Sequence, residues 1–172
     1  MGTVKRGWTG RYFEDFEVGD IYECPYGRTV TEADNIQFTL LTNNSNQIHF
    51  NREYGAQTEW NSTLVNSALT LSIVAGMSVA DVSSNGFALG WDRIDLPNPV
   101  FPGDTLYSVS EVLELRESRS RPAQGVVKVR TTGKKQDGST VLEYSRSIMV
   151  WKRDFAPSAH AVPRDGQSWT SR

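Results

Sequence analysis

The stretch from Leu64 to Val82, LVNSALTLSIVAGMSVADV, decides the fold. It is apolar almost all round, and it contains the small residues Ser67, Ala68, Ser72, Ala75 and Gly76. A helix that is hydrophobic on every side belongs inside other structure. The stretch therefore predicts one long buried central helix, and either Asn66 or Ser67 can cap its start.

Segments of alternating apolar and polar residues follow this helix and predict strands. In the clearest segment, Val127 and Val129 lie on one face, whereas Lys128 and Arg130 lie on the other. The Asp-Gly pair within residues 136–139 predicts a hairpin turn. A further short strand precedes the helices, so that the expected strands lie near 18–22 and at 87–96, 105–115, 126–133 and 140–152.

A shorter helix precedes the central one. Thr31 supplies a capping oxygen, and Glu32 and Asp34 place acidic groups in the first turn, so a helix is expected to begin here and to end near Thr42. The polar run TNNSNQ predicts a loop, because its side chains compete with helical hydrogen bonds. A short helix is expected at 51–57. One strand, helices and then four antiparallel strands indicate an α+β fold, in which the sheet wraps around the buried helix.

The composition excludes several classes of protein. A chain of 172 residues, with 38% apolar and 22% charged residues, fits one globular domain. No apolar run approaches about 18 residues, so no membrane-spanning helix is expected. The net charge of −2 gives no sign of nucleic acid binding.

The cysteine and histidine counts limit the disulfides, metal sites and catalytic histidines that the chain can have. Cys24 is the only cysteine, so no intramolecular disulfide can form, and a lone thiol fits a reducing, cytoplasmic location. His49 and His160 are the only histidines, which leaves a histidine-centred zinc site without partners. Because His160 lies in a tail with two prolines and no apolar period, it is a poor catalytic candidate.

Three further stretches carry a family resemblance: YFEDFEVGD at 12–20, RTVTEAD at 28–34 and FPGDTL at 101–106. The chain resembles the MaoC-like dehydratases, the R-specific enoyl-CoA hydratases, over roughly Gly10 to Arg153. The resemblance implies a single hotdog domain at 11–153. Residues 1–10 are expected to be mobile or to pack on a neighbour, and the composition of residues 154–172 predicts an irregular C-terminal tail.

The family's hydratase motif, G-D-x-N-P-x-H, corresponds to NNSNQIH at 43–49. His49 and Asn46 are kept, whereas Asn44 replaces the aspartate and Gln47 the proline. Downstream, Asn66-Ser67 stands where the family has His-Gly at the start of the central helix. The stretches VNSALTL and ELRESRSRP, at 65–71 and 114–122, resemble the branch of mesaconyl-CoA and itaconyl-CoA hydratases.

The resemblance implies the addition or removal of water on a short, carboxylated enoyl-CoA. This chemistry needs a base for water, an acid for the carbon beside the thioester, and donors for the thioester oxygen. In the family an aspartate and a histidine share the first two tasks, and a backbone N–H at the helix start performs the third. This chain keeps His49 and the helix start, but it lacks the carboxylate.

Three interpretations follow from the missing carboxylate. His49 could act as both base and acid while Asn44 orients the water; Asp34 or Glu53 could replace the aspartate; or the chain could bind an acyl-CoA without turning it over. An acyl-CoA thioesterase is a further alternative, because thioester hydrolysis also needs an activated water and an oxyanion site.

Other candidate residues have two interpretations each. Asn46 could simply form the loop, or it could belong to the substrate-binding residues by positioning His49. Asn66 and Ser67 could cap the central helix, face the thioester, or both. A solvated strand end or a contact with the phosphates of coenzyme A would explain the cluster formed by Arg116, Arg119 and Arg121.

The resemblance implies neither a metal nor a redox cofactor. It implies a homodimer joined edge to edge, with active sites at the interface, and assemblies such as trimers of dimers. A single chain of this fold leaves a sheet edge exposed, which agrees with that assembly.

Overall fold

The computed structural model describes residues 3, 5 and 7–157. Its helices are α1 (Glu32–Leu41), α2 (Arg52–Gly55), α3 (Ser67–Met77) and α4 (Val79–Val82). Its strands are β1 (Ile21–Glu23), β2 (Arg28–Thr29), β3 (Gly86–Asp95), β4 (Thr105–Glu117), β5 (Gln124–Lys135) and β6 (Thr140–Trp151). Single 3-10 turns lie at Phe13–Asp15, Gln47–His49 and Arg153–Phe155.

The strands form one antiparallel sheet in the order β1-β4-β5-β6-β3, and β2 also pairs with β4. The predicted strand and the four strands after the helices are confirmed. The sequence does not indicate β2, because a strand of two residues shows no alternation. The predicted hairpin turn joins β5 to β6, and Gly138 adopts a φ of 84° there.

Helix α3 lies against the concave face of the sheet. Val74 is fully buried and contacts the backbone at Gly133, where an added Cβ would lie 2.8 Å from a valine methyl. The core around the helix consists of Val30, Val65, Leu69, Val74, Val100, Leu106, Val141, Leu142 and Tyr144. The expected α+β architecture, a sheet wrapped around one helix, is confirmed.

The central helix is shorter than the sequence predicts. The chain reaches it in extended conformation, and Asn66 is the N-cap, with its side-chain oxygen accepting the Ala68 N–H at 3.0 Å. The helix breaks at Ser78, whose hydroxyl donates to the Ala75 carbonyl. One face of α3 is also exposed in the single chain, at Ser67, Ala68, Ser72 and Gly76.

Within the part of the chain that the structure describes, strand β3 forms one edge of the sheet and pairs with β6 alone. Large apolar side chains of β3, and of the residue that follows it, are each 39–49% exposed: Phe87, Leu89, Trp91, Ile94 and Leu96. We call this strand and these side chains the β3 edge. Exposed apolar edges attract further strands, so natural proteins usually cover or pair them.

The ends of the described chain adjoin this domain. The Trp8 indole donates to the Ala80 carbonyl at 3.0 Å, and the Asn85 amide donates to the Thr9 carbonyl at 2.9 Å. The described chain thus contacts the domain from Trp8 onward, and the mobility of residues 1–10 stays a prediction. His160 and most of the predicted tail lie outside the described residues.

Candidate functional site

Helix α1 begins with a reciprocal cap. The Asp34 N–H donates to the Thr31 hydroxyl oxygen, and the Asp34 carboxylate accepts the Thr31 N–H at 2.8 Å. Hydrogen bonds from Thr31, together with the Arg28 guanidinium at 2.9 Å, hold the pKa of Asp34 below its usual value. The predicted helix start is confirmed, and the cap fixes the N-terminal end of α1, the helix that leads into the motif loop.

The motif loop, residues 43–49, is built from asparagine turns. Asn43 has a φ of 56° where the family motif has glycine, and asparagine tolerates this left-handed conformation better than most residues. The Asn44 side-chain oxygen accepts the Asn46 N–H at 3.0 Å, and that of Asn46 accepts the Ile48 N–H at 3.2 Å. Both side chains therefore shape the loop that carries His49.

The His49 ring has one occupied nitrogen. Its Nδ1 lies 3.0 Å from the carbonyl oxygen of Leu64. Because a carbonyl can only accept, Nδ1 carries the proton, and Nε2 of the neutral ring keeps its lone pair. The ring is thus oriented by the chain segment that leads into the central helix, and Nε2 can accept a proton.

A cavity of about 330 Å³ brings His49 and the start of α3 together. His49, Ser67 and Thr70 supply its polar side chains, together with Asn98. The remaining lining is Trp60, Leu64, Val65, Leu96, Pro97, Pro99 and Val100. A mostly apolar cavity with a few convergent polar groups suits a small organic ligand.

The start of α3 is suited to hold a developing negative charge. Ser67 is the first residue of the helix, and the Asn66 side chain caps the N–H of Ala68. In the described part of the chain, the structure gives no acceptor for the Ser67 N–H. A free N–H at a helix N-terminus, reinforced by the helix dipole, binds anions.

The other candidate polar residues lie outside the cavity lining. Asn44 and Asn46 belong to the loop behind His49, and Asp34 is engaged in the cap of α1. Glu53 lines a separate groove on the surface beside α1 and α2. Since no carboxylate is among the lining residues, the interpretation with a replacement carboxylate receives no geometric support.

The arginine cluster lies at the opposite end of the sheet from the cavity. Arg116 is the second-to-last residue of β4. The Arg121 guanidinium lies 5.6 Å from the centre of the Phe87 ring, near the start of β3. The cavity adjoins Leu96, just beyond the end of β3. Nine residues of strand separate these points, a distance of about 30 Å. The arginines and the cavity of one chain are therefore far apart.

Two residues of the site were missed by the sequence analysis. Trp60 forms an aromatic wall of the cavity, and its ring lies 6.1 Å from that of Phe101. Asn35 is fully buried between the His49 loop and the start of α3. A signal for Asn35 exists in the sequence, because an amide among the apolar residues of a short helix needs buried partners.

The described residues add two negative findings. Among residues 3, 5 and 7–157, no three side chains of His, Cys, Asp or Glu lie close enough together to hold a metal ion. Within the same part of the chain, no helix has the length and apolar character needed to cross a membrane.

Comparison with known sequences identifies relatives over most of the chain. A family model described as mesaconyl-CoA hydratase matches residues 3–168. The mesaconyl-CoA hydratase of Cereibacter sphaeroides is 37% identical over 153 residues, which are 88% of this chain and 44% of that protein. The β-methylmalyl-CoA dehydratase of Chloroflexus aurantiacus is 35% identical over 158 residues, 91% of this chain and 45% of that protein. The chain spans about half the length of these relatives.

Solved structures give the same picture. A putative MaoC domain protein dehydratase from Chloroflexus aurantiacus superposes with a TM-score of 0.82 and 33% identity, covering 94% of this chain and 46% of that one. A protein of Mycobacterium tuberculosis with a double hotdog fold gives a TM-score of 0.75 at 20% identity, covering 95% of this chain and 53% of that one. The chain therefore belongs to the mesaconyl-CoA hydratase family and has the hotdog fold of the MaoC-like proteins.

Proposed function

We propose that this chain adds water to, or removes it from, a short carboxylated acyl-CoA thioester, with His49 as acid and base. One observation carries the proposal: His49, with Nδ1 engaged by the Leu64 carbonyl, shares a cavity with Ser67 at the start of α3. The relatives named mesaconyl-CoA hydratase and β-methylmalyl-CoA dehydratase support the same reaction class.

The reaction needs only groups of this cavity. Nε2 of His49 takes a proton from water while the water oxygen bonds to the β-carbon of the enoyl group. The double-bond electrons move toward the thioester oxygen, and the Ser67 N–H stabilises the enolate that forms. The protonated ring then returns its proton to the α-carbon, so that one water molecule is added overall. Dehydration follows the same steps in reverse.

Asn44 fits a substrate that itself carries a carboxylate. Asn44 lies on the loop behind His49, outside the cavity lining, and an aspartate here would add a second negative charge to that loop. At an effective dielectric constant of 20, two like charges about 4 Å apart repel by about 4 kcal/mol, which is the upper limit for an aspartate here and a substrate carboxylate beside His49. Asn44 avoids this repulsion, and the turn to Asn46 needs only its side-chain oxygen. His49 then performs both proton transfers.

A second copy of this chain is the proposed partner at the β3 edge. Two β3 strands can pair antiparallel about a twofold axis, which covers the apolar side chains and the unpaired backbone of both copies. The exposed face of α3 carries small residues, Ala68, Ser72 and Gly76, which permit close packing beside this edge. Relatives of twice the length, and the double hotdog protein, support a two-unit assembly. Larger assemblies such as trimers of dimers would use other surfaces.

The same pairing gives the arginine cluster a role in the partner's site. Antiparallel strands exchange their ends, so the Phe87 end of one β3 lies beside the Leu96 end of the other. Arg119 and Arg121 of one copy would then adjoin the cavity of its partner, where they can contact the phosphates of coenzyme A. Arg116, one residue from the end of β4, lies on the same side of the molecule.

One experiment separates the candidate activities. The protein is incubated with crotonyl-CoA and with mesaconyl-CoA, and both double-bond absorbance and free thiol are followed. Loss of the double bond without free thiol is the expected result. Release of free thiol would indicate a thioesterase, and neither change, together with measurable binding, would indicate an acyl-CoA-binding module. Both of these outcomes would overturn the proposal.

We place this activity in the cytoplasm. The chain has a single cysteine, Cys24, which is partly buried and unbonded, as is common for proteins in reducing compartments.

A further inference from the structure

The centre of α1 contains a buried amide that the reaction itself does not use. Asn35 has no exposed surface, and it lies on the side of α1 that faces the central helix. An amide buried without partners would destabilise the fold, so its hydrogen bonds indicate what it does there.

Asn35 bonds to three backbone groups from the two halves of the site. Its Nδ2 donates to the His49 carbonyl at 2.7 Å and to the Leu64 carbonyl at 2.9 Å. Its Oδ1 accepts the N–H of Asn66 at 2.8 Å. Both donors and one acceptor position of the amide are thus occupied, and no other residue type could make these three bonds in the same space.

The Leu64 carbonyl is shared by Asn35 and His49. It accepts a hydrogen bond from Asn35 and one from Nδ1 of His49. The group that sets the orientation and tautomer of the catalytic ring is therefore itself held by Asn35. The bond to Asn66 extends this control to the start of α3, because Ser67 follows Asn66 directly.

We infer that Asn35 is a positioning residue, which fixes the Nδ1-protonated form of His49 and its alignment with the Ser67 N–H. The expected loss of kcat rests on the proposed function, whereas the expected change in the His49 tautomer does not. A second buried contact supports it, since the Asn66 amide donates to the Thr39 hydroxyl one turn further along α1. Helix α1 thereby anchors both halves of the site.

The test combines two variants with two readouts. Asn35→Leu is similar in shape and removes all three bonds, and Asn35→Asp keeps an acceptor for Asn66 but cannot donate to both carbonyls. The ¹⁵N shifts of the His49 ring report which nitrogen carries the proton, and they do so without any substrate. We expect one Nδ1-protonated form in the wild type and a mixture of tautomers in each folded variant.

Turnover gives the second readout. A misplacement of about 1 Å between catalytic groups costs about 10²-fold, so kcat should fall 10- to 100-fold while KM for the same CoA ester stays within about twofold. Ser110→Ala is the matched control, because it breaks a buried hydroxyl pair with Thr131 on the sheet, away from the cavity. The control should change neither the ring spectrum nor kcat.

Two results would overturn the inference. One is a folded Asn35 variant with the wild-type ring spectrum. The other is a loss of activity that Ser110→Ala reproduces at equal loss of stability. If Asn35→Leu does not fold, Asn35→Asp decides the question by its spectrum alone. If the wild type proves inactive as a hydratase, the spectrum still tests the positioning role, so failure of the proposed function remains distinguishable.

Discussion

The two walls of the cavity are built in different ways. On the α1 side, Asn35, Thr39 and Asn66 join the His49 loop to the central helix by buried hydrogen bonds within one chain. On the opposite side, the segment from Leu96 to Val100 continues from a strand whose outer edge is unpaired. Under the proposed function, the chain by itself fixes the groups that would move protons, whereas a partner would complete the side that would meet the rest of coenzyme A.

The largest effect is expected on the fixed wall, at His49. His49→Ala should lower kcat by about 10²- to 10⁴-fold, the usual contribution of a positioned proton-transfer group, while binding of CoA esters survives. Steady-state kinetics with mesaconyl-CoA and calorimetric binding measure the two quantities. His160→Ala, which changes the only other histidine, is the control, and full activity of His49→Ala would rule out the assignment.

The motif loop offers a sharper test of substrate charge. Asn44→Asp keeps the turn oxygen for Asn46 and adds a negative charge near the cavity. Because Asn44 is half-buried, we expect the ratio of kcat/KM for mesaconyl-CoA over crotonyl-CoA to fall by about 10- to 100-fold, less than the limit of Coulomb's law at a dielectric constant of 20.

The control for this prediction adds the same charge at an exposed position. Gln37→Glu places a carboxylate on the exposed face of α1. It should leave the substrate ratio within about twofold, since solvent screens the charge of an exposed side chain. An unchanged ratio in Asn44→Asp, or an equal change in both variants, would remove the support for the substrate-charge hypothesis.

The proposed role of the arginine cluster at the side of the cavity near Leu96 can be tested first with arginine variants. Arg119→Ala combined with Arg121→Ala should raise KM for a CoA ester about 10-fold, because hydrogen bonds to charged groups contribute about 1.5–3 kcal/mol. A short pantetheine thioester should show no such change. Arg130→Ala, which removes a guanidinium paired with Glu111 in the middle of the sheet, is the matched control.

Mixed dimers then show which copy supplies the arginines. If subunits with His49→Ala and subunits with the double arginine change pair at random, half of the dimers are mixed. Contribution from the partner leaves one intact site in each mixed dimer, so about one quarter of wild-type activity should return at substrate concentrations well below KM, where the arginine variant alone is nearly inactive. No recovery, with mixed dimers demonstrated by mass spectrometry, would exclude the arrangement in which the partner supplies the arginines.

The smallest expected effect concerns pH and the start of α1. The pKa of Asp34 is lowered from 3.8 by its bonds to Thr31 and Arg28, so its ionised form stabilises the folded state. That stability is present above the unfolded value and is lost as the pH falls through the lower folded one. Urea midpoints should therefore fall less between pH 5 and pH 2 in Asp34→Asn than in the wild type, whereas Glu59→Gln should follow the wild type.

The sequence predicts the fold better than it predicts the site. The apolar helix stretch and the alternating strands are local patterns, and they indicate the sheet and its central helix correctly. The break at Ser78 is not visible in them. At this point the Ser78 hydroxyl accepts a hydrogen bond at 2.8 Å from the Arg146 guanidinium of strand β6. Such a contact between residues distant in sequence leaves no periodic signal.

The candidate site divides in the same way. His49 and Ser67 were identified from the motif and the helix start, and the structure brings them into one cavity. Asn35 could not be assigned, since its three partners come together only when α1 packs on α3. The separation of the arginine cluster from the cavity was also unpredictable, because it depends on the direction of β3 in the assembled sheet.

The unpaired edge of β3 has a consequence for how a two-unit protein of this kind can diverge. When two identical chains pair, each substitution occurs in both copies, so every copy must keep both a proton-transfer group and a phosphate contact. A tether between the units replaces diffusional encounter with a high effective concentration. It also lets the two units change independently, so that one unit can keep the proton-transfer histidine while the other keeps only the arginine cluster. Relatives of twice the length are free to take that course, and a homodimer is not.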